Sequence, residues 1–193
     1  MASKPTFEYL AERVSTGLSQ ESFSLVRRAY EVASAAHEGQ MRDEGIPYIV
    51  HPVRVAVVLV DELGLYSPKL VCSALLHDVI EDSEITREDI TRIFDEEVGE
   101  IVWLLTKVEE VSLREYLSRI EAAADTGAAI VKLCDRLDNL RSVIHTPKLE
   151  KKRRYVRTTE EYYLPLAART NHYLHDEIRR SLEEARRQVE GIA

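Results

Sequence analysis

The stretch Leu75-Leu76-His77-Asp78-Val79-Ile80-Glu81-Asp82 decides how the rest of the sequence is interpreted. It ends a run from Leu70 to Leu76 that is apolar almost all round if it is helical, as expected of a buried helix. Such a helix has no low-energy way to bury a histidine and three carboxylates, because unpaired buried charge costs several kcal/mol. Either these groups reach an exposed helix end, or a cation lies among them.

The spacing within this stretch favours the cation. Residues four apart share one face of a helix, so His77 is expected over Glu81 and Asp78 over Asp82. The two pairs would then converge on one small volume. A divalent cation in that volume would relieve the repulsion between the carboxylates.

Helical periodicity extends over nearly the whole sequence. Apolar residues recur at three- and four-residue spacing, and helix-start signals stand at Ser67-Pro68, Thr86-x-x-Asp89 and Asn171. The seven glycines and six prolines are widely spaced, which leaves little room for long loops. The sequence therefore predicts one all-α domain over residues 1–193, a bundle of about eight to ten helices.

The predicted helices follow one another with short connections and one loop, at 40–48. They run over about 24–37, 50–63, 67–82, 86–94, 98–108, 116–124, 128–140, 146–164 with a kink or end at Pro165, and 171–190. The β-branched run in 50–63 would also suit a buried strand, but its length and Pro52 favour a helix. We expect a core at about 20–168 and a C-terminal amphipathic helix at 171–190. The apolar stripe of that helix packs either on the core or on a second subunit in a homodimer.

The composition is that of a globular protein, with 45% hydrophobic and 31% charged residues. Cys72 and Cys134 lie in apolar helical segments, which predicts reduced, buried thiols and a cytoplasmic protein. The net charge of −8 argues against nucleic-acid binding, and no apolar run is long enough to cross a membrane. One basic cluster, at 148–157, is either a solvated helix face or an attraction for an anionic small substrate.

Three separated segments turn polar where the surrounding helix is apolar. They contribute His51 after the loop, His77-Asp78, and Asp135, whose face also carries Asn139 and Ser142 at helical spacing. Two imidazoles and two carboxylates suit Mn²⁺, Fe²⁺, Zn²⁺ or Ni²⁺. Such a metal acidifies a bound water, which the carboxylates of Glu81 or Asp82 would orient or deprotonate.

The order His51, His77-Asp78, Asp135 resembles that of the HD-domain metal-dependent phosphohydrolases. The surrounding blocks resemble the RelA/SpoT-type alarmone hydrolases, and in particular their short, single-domain members. These blocks are Ala36-His37-Glu38-Gly39-Gln40-x-Arg42, Gly45-x-Pro47-Tyr48-x-x-His51-Pro52, Leu75-Leu76-His77-Asp78-x-x-Glu81-Asp82 and Lys132-Leu133-x-Asp135-Arg136-Leu137-x-Asn139-Leu140-Arg141.

The resemblance implies a role for each matching residue and a reaction for the protein. His51, His77, Asp78 and Asp135 would bind one metal ion, typically Mn²⁺, and Glu81 with Asp82 would position and activate the water. Arg42 would contact the nucleotide, and Asn139 and Ser142 would hold its sugar and phosphate region. The implied reaction is hydrolysis of the 3′-pyrophosphate of ppGpp or pppGpp, a guanine nucleotide, to GDP or GTP and pyrophosphate.

The sequence departs from the family pattern near the substrate. Asp43-Glu44 follows Arg42 where a basic residue is often found, Asp138 replaces a frequent histidine, and Ser142 replaces the usual threonine. An acidic pair in the loop would repel a phosphate. Two alternatives therefore stay open: a phosphohydrolase for another nucleotide, and a non-catalytic metal- or nucleotide-binding regulator.

Other polar and aromatic residues are open to two interpretations. His37 is either a packed core histidine or a partner of the site, and His145, His172 and His175 are expected on the surface. Tyr155, Tyr162 and Tyr163 form either a core edge or a base pocket. No second histidine pair stands near the motifs, so the sequence predicts a mononuclear site.

Overall fold

The computed structural model describes residues 6–191, and these residues are helical almost throughout. Its α-helices are α1 (Phe7–Ser15), α2 (Gln20–Ala36), α3 (Val50–Val57), α4 (Pro68–Leu76), α5 (Val79–Asp82), α6 (Arg87–Ile93), α7 (Glu96–Leu105), α8 (Leu113–Ala122), α9 (Ala128–Val143), α10 (Leu149–Thr158), α11 (Leu164–Thr170) and α12 (His172–Glu190). Two π-helical turns extend α3 and α10, at Val58–Glu62 and Thr159–Tyr163, and a 3₁₀ turn spans Ala124–Thr126.

The prediction of an all-α fold is confirmed. Because α5 follows α4 after a two-residue turn and α10 continues through its π-helical turn into α11, the described segments form ten helical units. The single domain stays a prediction, and its ends at 1–5 and 192–193 lie outside the described residues.

Most predicted helix boundaries are close to the observed ones, and the errors have local causes. Helix α8 begins at Leu113 rather than at 116, because Ser112 and Glu115 form a capping box that lies before the predicted helix start. Helix α7 begins at Glu96, where the side chain of Asp95 caps it and accepts from the backbone amide of Val98. Helix α2 begins at Gln20, because Ser19 caps it.

Helix α4 is buried on every side, as its composition predicts. It packs against α2, α3, α7 and α9, and the side chains of Leu75 and Leu76 are fully excluded from solvent. Helix α9 is the second buried helix, with Leu133, Leu137 and Leu140 all at 0% exposure. The two helices therefore bring their polar residues together inside the bundle.

The central stretch is not one continuous helix, and this corrects the prediction. Helix α4 ends at Leu76, and His77 and Asp78 form a turn before α5. The backbone amide of Asp82 still donates to the carbonyl of Asp78 at 3.0 Å, so this pair keeps the predicted four-residue relation. The turn ends the buried helix α4 at the point where the polar residues His77 and Asp78 begin.

The segment 40–48 is the predicted loop. A backbone bridge between Met41 and Pro47 closes it, and Gly45 adopts a φ of +71°, a conformation that favours glycine. The loop leads directly into α3, which carries His51. Its closure therefore holds the start of that helix near the site.

The C-terminal helix packs on the chain itself. Helix α12 contacts α9, α10 and α11, and Leu174, Ile178, Leu182 and Ala185 on its stripe are buried. Of the two alternatives for this stripe, the structure shows packing on the core. Within residues 6–191 no helix has both the length and the apolarity that a bilayer crossing requires.

Candidate metal centre

Three ligand atoms converge where α3, α4 and α5 meet. One ligand atom from each of His51, His77 and Asp78 lies within 4.8 Å of the other two. The Nε2 of His77 is 3.1 Å from the Oδ2 of Asp78, and the Nε2 of His51 is 3.8 Å from the same oxygen. Asp135, on α9, brings its Oδ1 to 3.1 Å from His51 Nε2 and 3.8 Å from His77 Nε2. The structure thus brings together all four predicted metal ligands.

Both histidines are held by their other ring nitrogen. The Nδ1 of His77 lies 2.8 Å from the backbone carbonyl oxygen of Ala74, and the Nδ1 of His51 lies 2.7 Å from Asp138 Oδ2. With Nδ1–H donating in each case, Nε2 is the ring nitrogen left to face a metal, as metal ligation requires. The Nε2 of His77 is buried and has no hydrogen-bond partner among residues 6–191. An orphaned ring nitrogen between two carboxylates fits a cation well.

The two carboxylates are also fixed in place. The hydroxyl of Tyr48 donates to Asp78 Oδ2 at 2.6 Å, and Lys132 Nζ lies 2.9 Å from Asp135 Oδ2. The side-chain amide of Asn139 donates to Asp135 Oδ1. Tyr48 and Lys132 belong to two of the motif blocks, but the sequence pattern alone predicts no role for either residue.

The charges of the cluster depend on one another. Burial disfavours protonation of His77, but the carboxylates of Asp78 and Asp135 outweigh it and raise its pKa to about 10. In the same way, burial opposes ionisation of Asp78, but His77 lowers the pKa of that carboxyl below its usual range. Burial also opposes ionisation of Asp135, but Lys132 outweighs it and lowers the pKa of that carboxyl. The cluster therefore favours ionised carboxylates beside positive charge.

Glu81 and Asp82 lie beside the cluster without lining its cavity. The Oε1 of Glu81 accepts from the backbone amide of Lys107, and Asp82 Oδ2 is 3.8 Å from Nδ1 of the buried His37. Partial desolvation raises the pKa of Glu81, and desolvation together with Asp78 raises the pKa of Asp82. A raised pKa suits a carboxylate that takes up a proton near neutral pH.

A cavity of about 320 Å³ opens in front of the cluster. His51, Asp78 and Asp135 line it, and so do Tyr155 and Tyr163, whereas Tyr162 is not among its lining residues. Two of the three tyrosines thus reach a cavity. Its size and its mixed lining suit a polar ligand.

The three predicted substrate residues do not all lie in this cavity. Arg42 and Asn139 both line it and contact each other, with Arg42 Nη2 donating to Asn139 Oδ1 at 2.9 Å. Ser142 is buried and accepts from Arg54 Nη1 at 3.3 Å. It lines two neighbouring cavities instead.

The two acidic loop residues are neutralised by nearby cations. Lys148 Nζ and Lys151 Nζ lie 2.6 and 2.7 Å from the carboxylate oxygens of Asp43 and lower its pKa to about 2. Glu44 lies 3.8 Å from Arg42 Nε and 3.5 Å from Arg54 Nη1. Part of the basic cluster therefore compensates for the departure in the loop, and the expected repulsion of a phosphate is reduced.

His37 is buried, and it also lies next to the site. Its ring centroid is 4.6 Å from that of Tyr48, and its Nδ1 is 3.0 Å from Gln40 Oε1. Both interpretations of this residue therefore hold in part. His145 and His172 are exposed, as predicted, and His175 is partly buried.

A comparison with known protein families identifies the class of protein to which this chain belongs. Residues 29–172 match the HD domain family, which is about three quarters of the sequence. The protein belongs to the HD-domain family. Membership implies a divalent metal at the His/Asp cluster, and the geometry of that cluster agrees.

Similar proteins narrow the class further. The sequence is 36% identical over 182 residues to the bifunctional (p)ppGpp synthase/hydrolase SpoT of Escherichia coli K12, covering 89% of this chain and 26% of SpoT. It is 37% identical over 191 residues to the guanosine-3′,5′-bis(diphosphate) 3′-pyrophosphohydrolase of Vibrio cholerae, covering 92% of this chain and 26% of that protein. The chain spans about a quarter of the length of these curated relatives.

A solved structure of similar size shares the fold. It is described as a metazoan ortholog of SpoT that hydrolyses ppGpp and plays a role in starvation responses. The TM-score is 0.71 at 27% sequence identity, and the alignment covers 88% of this chain and 97% of the other. The chain is thus similar in extent to a separate hydrolase as well as to one quarter of the long enzymes.

Proposed function

We propose that this protein is a Mn²⁺-dependent hydrolase that removes the 3′-pyrophosphate from ppGpp or pppGpp. The main observation behind this proposal is the convergence of four side chains beside a cavity that is also lined by Arg42. These side chains are His51, His77, Asp78 and Asp135. Relatives named for this reaction support the choice of substrate. The products would be GDP or GTP and pyrophosphate, with one water consumed.

The four ligands would hold the metal through two imidazole Nε2 atoms and two carboxylates. A bound divalent cation would polarise a phosphoryl oxygen and acidify a water. Mixed nitrogen and oxygen ligands of this kind suit Mn²⁺. The chain contributes orientation: Asp138 and Ala74 fix the rings, and Tyr48, Lys132 and Asn139 fix the carboxylates.

Glu81 and Asp82 would orient the attacking water and accept its proton. Their raised pKa values make proton uptake easier than for fully solvated carboxyls, and Lys107 holds the Glu81 carboxylate through its backbone amide. The water oxygen forms a bond to the phosphorus next to the ribose, and the bond from that phosphorus to the 3′-oxygen breaks. The 3′-oxygen then takes up a proton, and pyrophosphate leaves.

Arg42 and Asn139 would position the nucleotide, since both line the cavity and are joined by a hydrogen bond. Ser142 would act from the neighbouring cavity, on the sugar and phosphate side. Neutralisation of Asp43 by two lysines removes the strongest objection to an anionic substrate in this loop. We infer a cytoplasmic location from the two free, buried cysteines.

The test is product analysis after incubation of the purified protein with ppGpp, with and without Mn²⁺. We expect pyrophosphate and GDP only when the metal is present. His77→Ala should lose metal and activity together, whereas Glu81→Gln should keep the metal and lose activity. Glu84→Gln, an exposed carboxylate two residues after Asp82, is the matched control and should behave as wild type.

Two outcomes would lead to the alternatives. If folded, Mn²⁺-loaded protein leaves ppGpp intact but releases phosphate from another member of a nucleotide panel, the substrate is wrong and the class of reaction stands. If no nucleotide is turned over and Glu81→Gln binds nucleotides as wild type does, the protein is a regulator rather than an enzyme.

A further inference from the structure

Arg136 is a buried cation without an ionic partner among residues 6–191. It follows Asp135 on α9 and is 8% exposed. Its Nη1 is buried and makes no hydrogen bond to any described residue. No carboxylate within residues 6–191 comes within the 4.0 Å that defines an ion pair. A guanidinium is almost always charged, so this side chain brings a positive charge into the protein interior.

Two tyrosine rings compensate for part of this burial. The guanidinium carbon of Arg136 lies 3.7 Å from the ring centroid of Tyr163 and 4.7 Å from that of Tyr155. Aromatic faces attract a cation, but they do not replace a hydrogen-bond acceptor, and the buried Nη1 stays without one among the described residues. The two rings hold the guanidinium in one place and leave Nη1 available to an incoming acceptor. This is the state expected of a residue whose acceptor arrives with a ligand.

The position of Arg136 indicates where that ligand would bind. The residue lines the cavity of about 320 Å³ that is also lined by His51, Asp78 and Asp135. A group held by Arg136 in this cavity would therefore lie near the metal ligands.

The other cations of the cavity already have partners among the described residues. Lys132 pairs with Asp135, Lys151 pairs with Asp43, and Arg42 donates to Asn139. In this part of the chain Arg136 is therefore the cavity cation left free for an incoming anion.

We propose that Arg136 binds a diphosphate group of the nucleotide in the metal cavity. The choice of ligand rests on the proposed function, in which the substrate ppGpp carries a diphosphate on its 3′-oxygen and another on its 5′-oxygen. The planar fork of a guanidinium matches two phosphate oxygens at once, which a lysine cannot do. Both diphosphates have this chemistry, and two simple probes separate them: inorganic pyrophosphate represents the 3′ group, and GDP carries the 5′ group alone.

The experiment measures binding of each probe to Mn²⁺-loaded protein by titration calorimetry. Arg136→Met removes the charge and keeps an unbranched apolar side chain beside the tyrosines. Arg154→Met is the matched control, because Arg154 also lies over the Tyr155 ring, at 5.8 Å, but is exposed and does not line the metal cavity. We expect Arg136→Met to weaken binding of at least one probe by about tenfold or more. Arg154→Met should change neither probe by more than about twofold.

The pattern of binding assigns the group that Arg136 holds. Weaker binding of pyrophosphate alone assigns Arg136 to the 3′ group, weaker binding of GDP alone assigns it to the 5′ group, and weaker binding of both supports the diphosphate site without choosing between the two groups. Unchanged binding of both probes, or an equal loss in Arg154→Met, overturns the proposal. Metal content should be the same in all three proteins, because Arg136 is not one of the proposed ligands.

A second variant covers the case in which Arg136→Met does not fold. Arg136→Lys keeps the charge without the fork, and it should bind the probe several-fold more weakly than wild type while its metal content stays the same. If Arg136→Lys binds both probes as tightly as wild type, paired recognition of phosphate oxygens is wrong.

A merely structural role predicts a different pattern. If the residue only supports the tyrosines, Arg136→Met lowers the unfolding temperature and leaves probe affinity unchanged. If Arg136 binds an anion, the unfolding temperature of Arg136→Met without pyrophosphate is no lower than that of wild type. Added pyrophosphate then raises the unfolding temperature of the variant by less than that of wild type.

Failure of this inference is distinguishable from failure of the proposed function. The experiment measures binding and does not depend on turnover of ppGpp, so an Arg136-dependent pyrophosphate site would stand even if ppGpp were not a substrate. Conversely, a protein that hydrolyses ppGpp but binds both probes equally in wild type and Arg136→Met would keep its function and refute the role of Arg136.

Discussion

Replacement of Asp138 by alanine should weaken metal binding, although this carboxylate is not one of the four proposed ligands. Its Oδ2 lies 2.7 Å from Nδ1 of His51, and Asp138 is only 4% exposed. The contact is as short as charge-assisted hydrogen bonds are in proteins. It turns the Nε2 of His51 toward Asp78 and Asp135 and raises the electron density on the ring.

The magnitude for metal binding follows from the loss of the carboxylate behind His51. Loss of such a carboxylate costs about 10- to 100-fold in metal affinity, or about 1.4 to 2.7 kcal/mol. We therefore expect Asp138→Ala to bind Mn²⁺ about 10- to 100-fold more weakly. Alanine at 138 would also leave Nδ1–H of His51 buried without an acceptor, since His51 is 1% exposed, and this should lower the free energy of unfolding by about 1–3 kcal/mol.

The assay is a titration of metal-free protein with Mn²⁺, followed by the electron paramagnetic resonance signal of the free ion. Asp138→Asn keeps an acceptor for Nδ1–H and loses the charge, so it should fall between wild type and Asp138→Ala. Asp125→Asn, an exposed carboxylate just before α9, is the control and should bind as wild type does. If folded Asp138→Ala binds Mn²⁺ within about twofold of wild type, the orienting role of Asp138 is refuted.

Three further predictions concern stability and reactivity. Leu75→Ala should lower the free energy of unfolding by about 2–5 kcal/mol in a denaturant titration, because Leu75 is fully buried; a loss below about 1 kcal/mol would mean that the site collapses around the smaller residue. Burial raises the pKa of the Cys72 thiol to about 12 and that of Cys134 well above its ordinary value, so a disulfide reagent at about pH 8 should label neither thiol until the protein unfolds. The lowered pKa of Asp43 means that its ion pairs stabilise the fold above about pH 3.8 and lose this effect as the pH falls through about 2. The difference in unfolding temperature between wild type and Asp43→Asn should shrink over that interval, and a constant difference would contradict the assignment.

Much of the fold and of the candidate site could be predicted from short-range patterns. The capping box at Thr86 and the start of α4 after Ser67 were both predicted, because each depends on residues within one turn. The His51, His77, Asp78 and Asp135 set could also be predicted, since polar residues in otherwise apolar helices require a compensating partner.

The sequence patterns were less informative where the backbone leaves regular geometry. The turn at His77–Asp78 interrupts the predicted helix, and the two π-helical turns each shift the following face by one residue. Among these interruptions, only the π-helical turn at Thr159–Tyr163 has a nearby sequence signal, which is the helix-breaking residue Pro165. Interruptions of this kind depend on how neighbouring helices pack, which periodicity within one helix does not report.

The sequence by itself determined the helical class and the side-chain types of the candidate metal centre, because burial periodicity and side-chain chemistry are local properties. The tertiary structure decided which side chains meet. Asp138 and His51 are 87 positions apart, and Arg42 and Asn139 are 97 apart. The sequence showed Asp138 only as an unusual residue and Arg136 only as part of a motif. The contacts behind their proposed roles depend on the packing of α9 against α3 and α10, because contact and burial are set by the distances between helices.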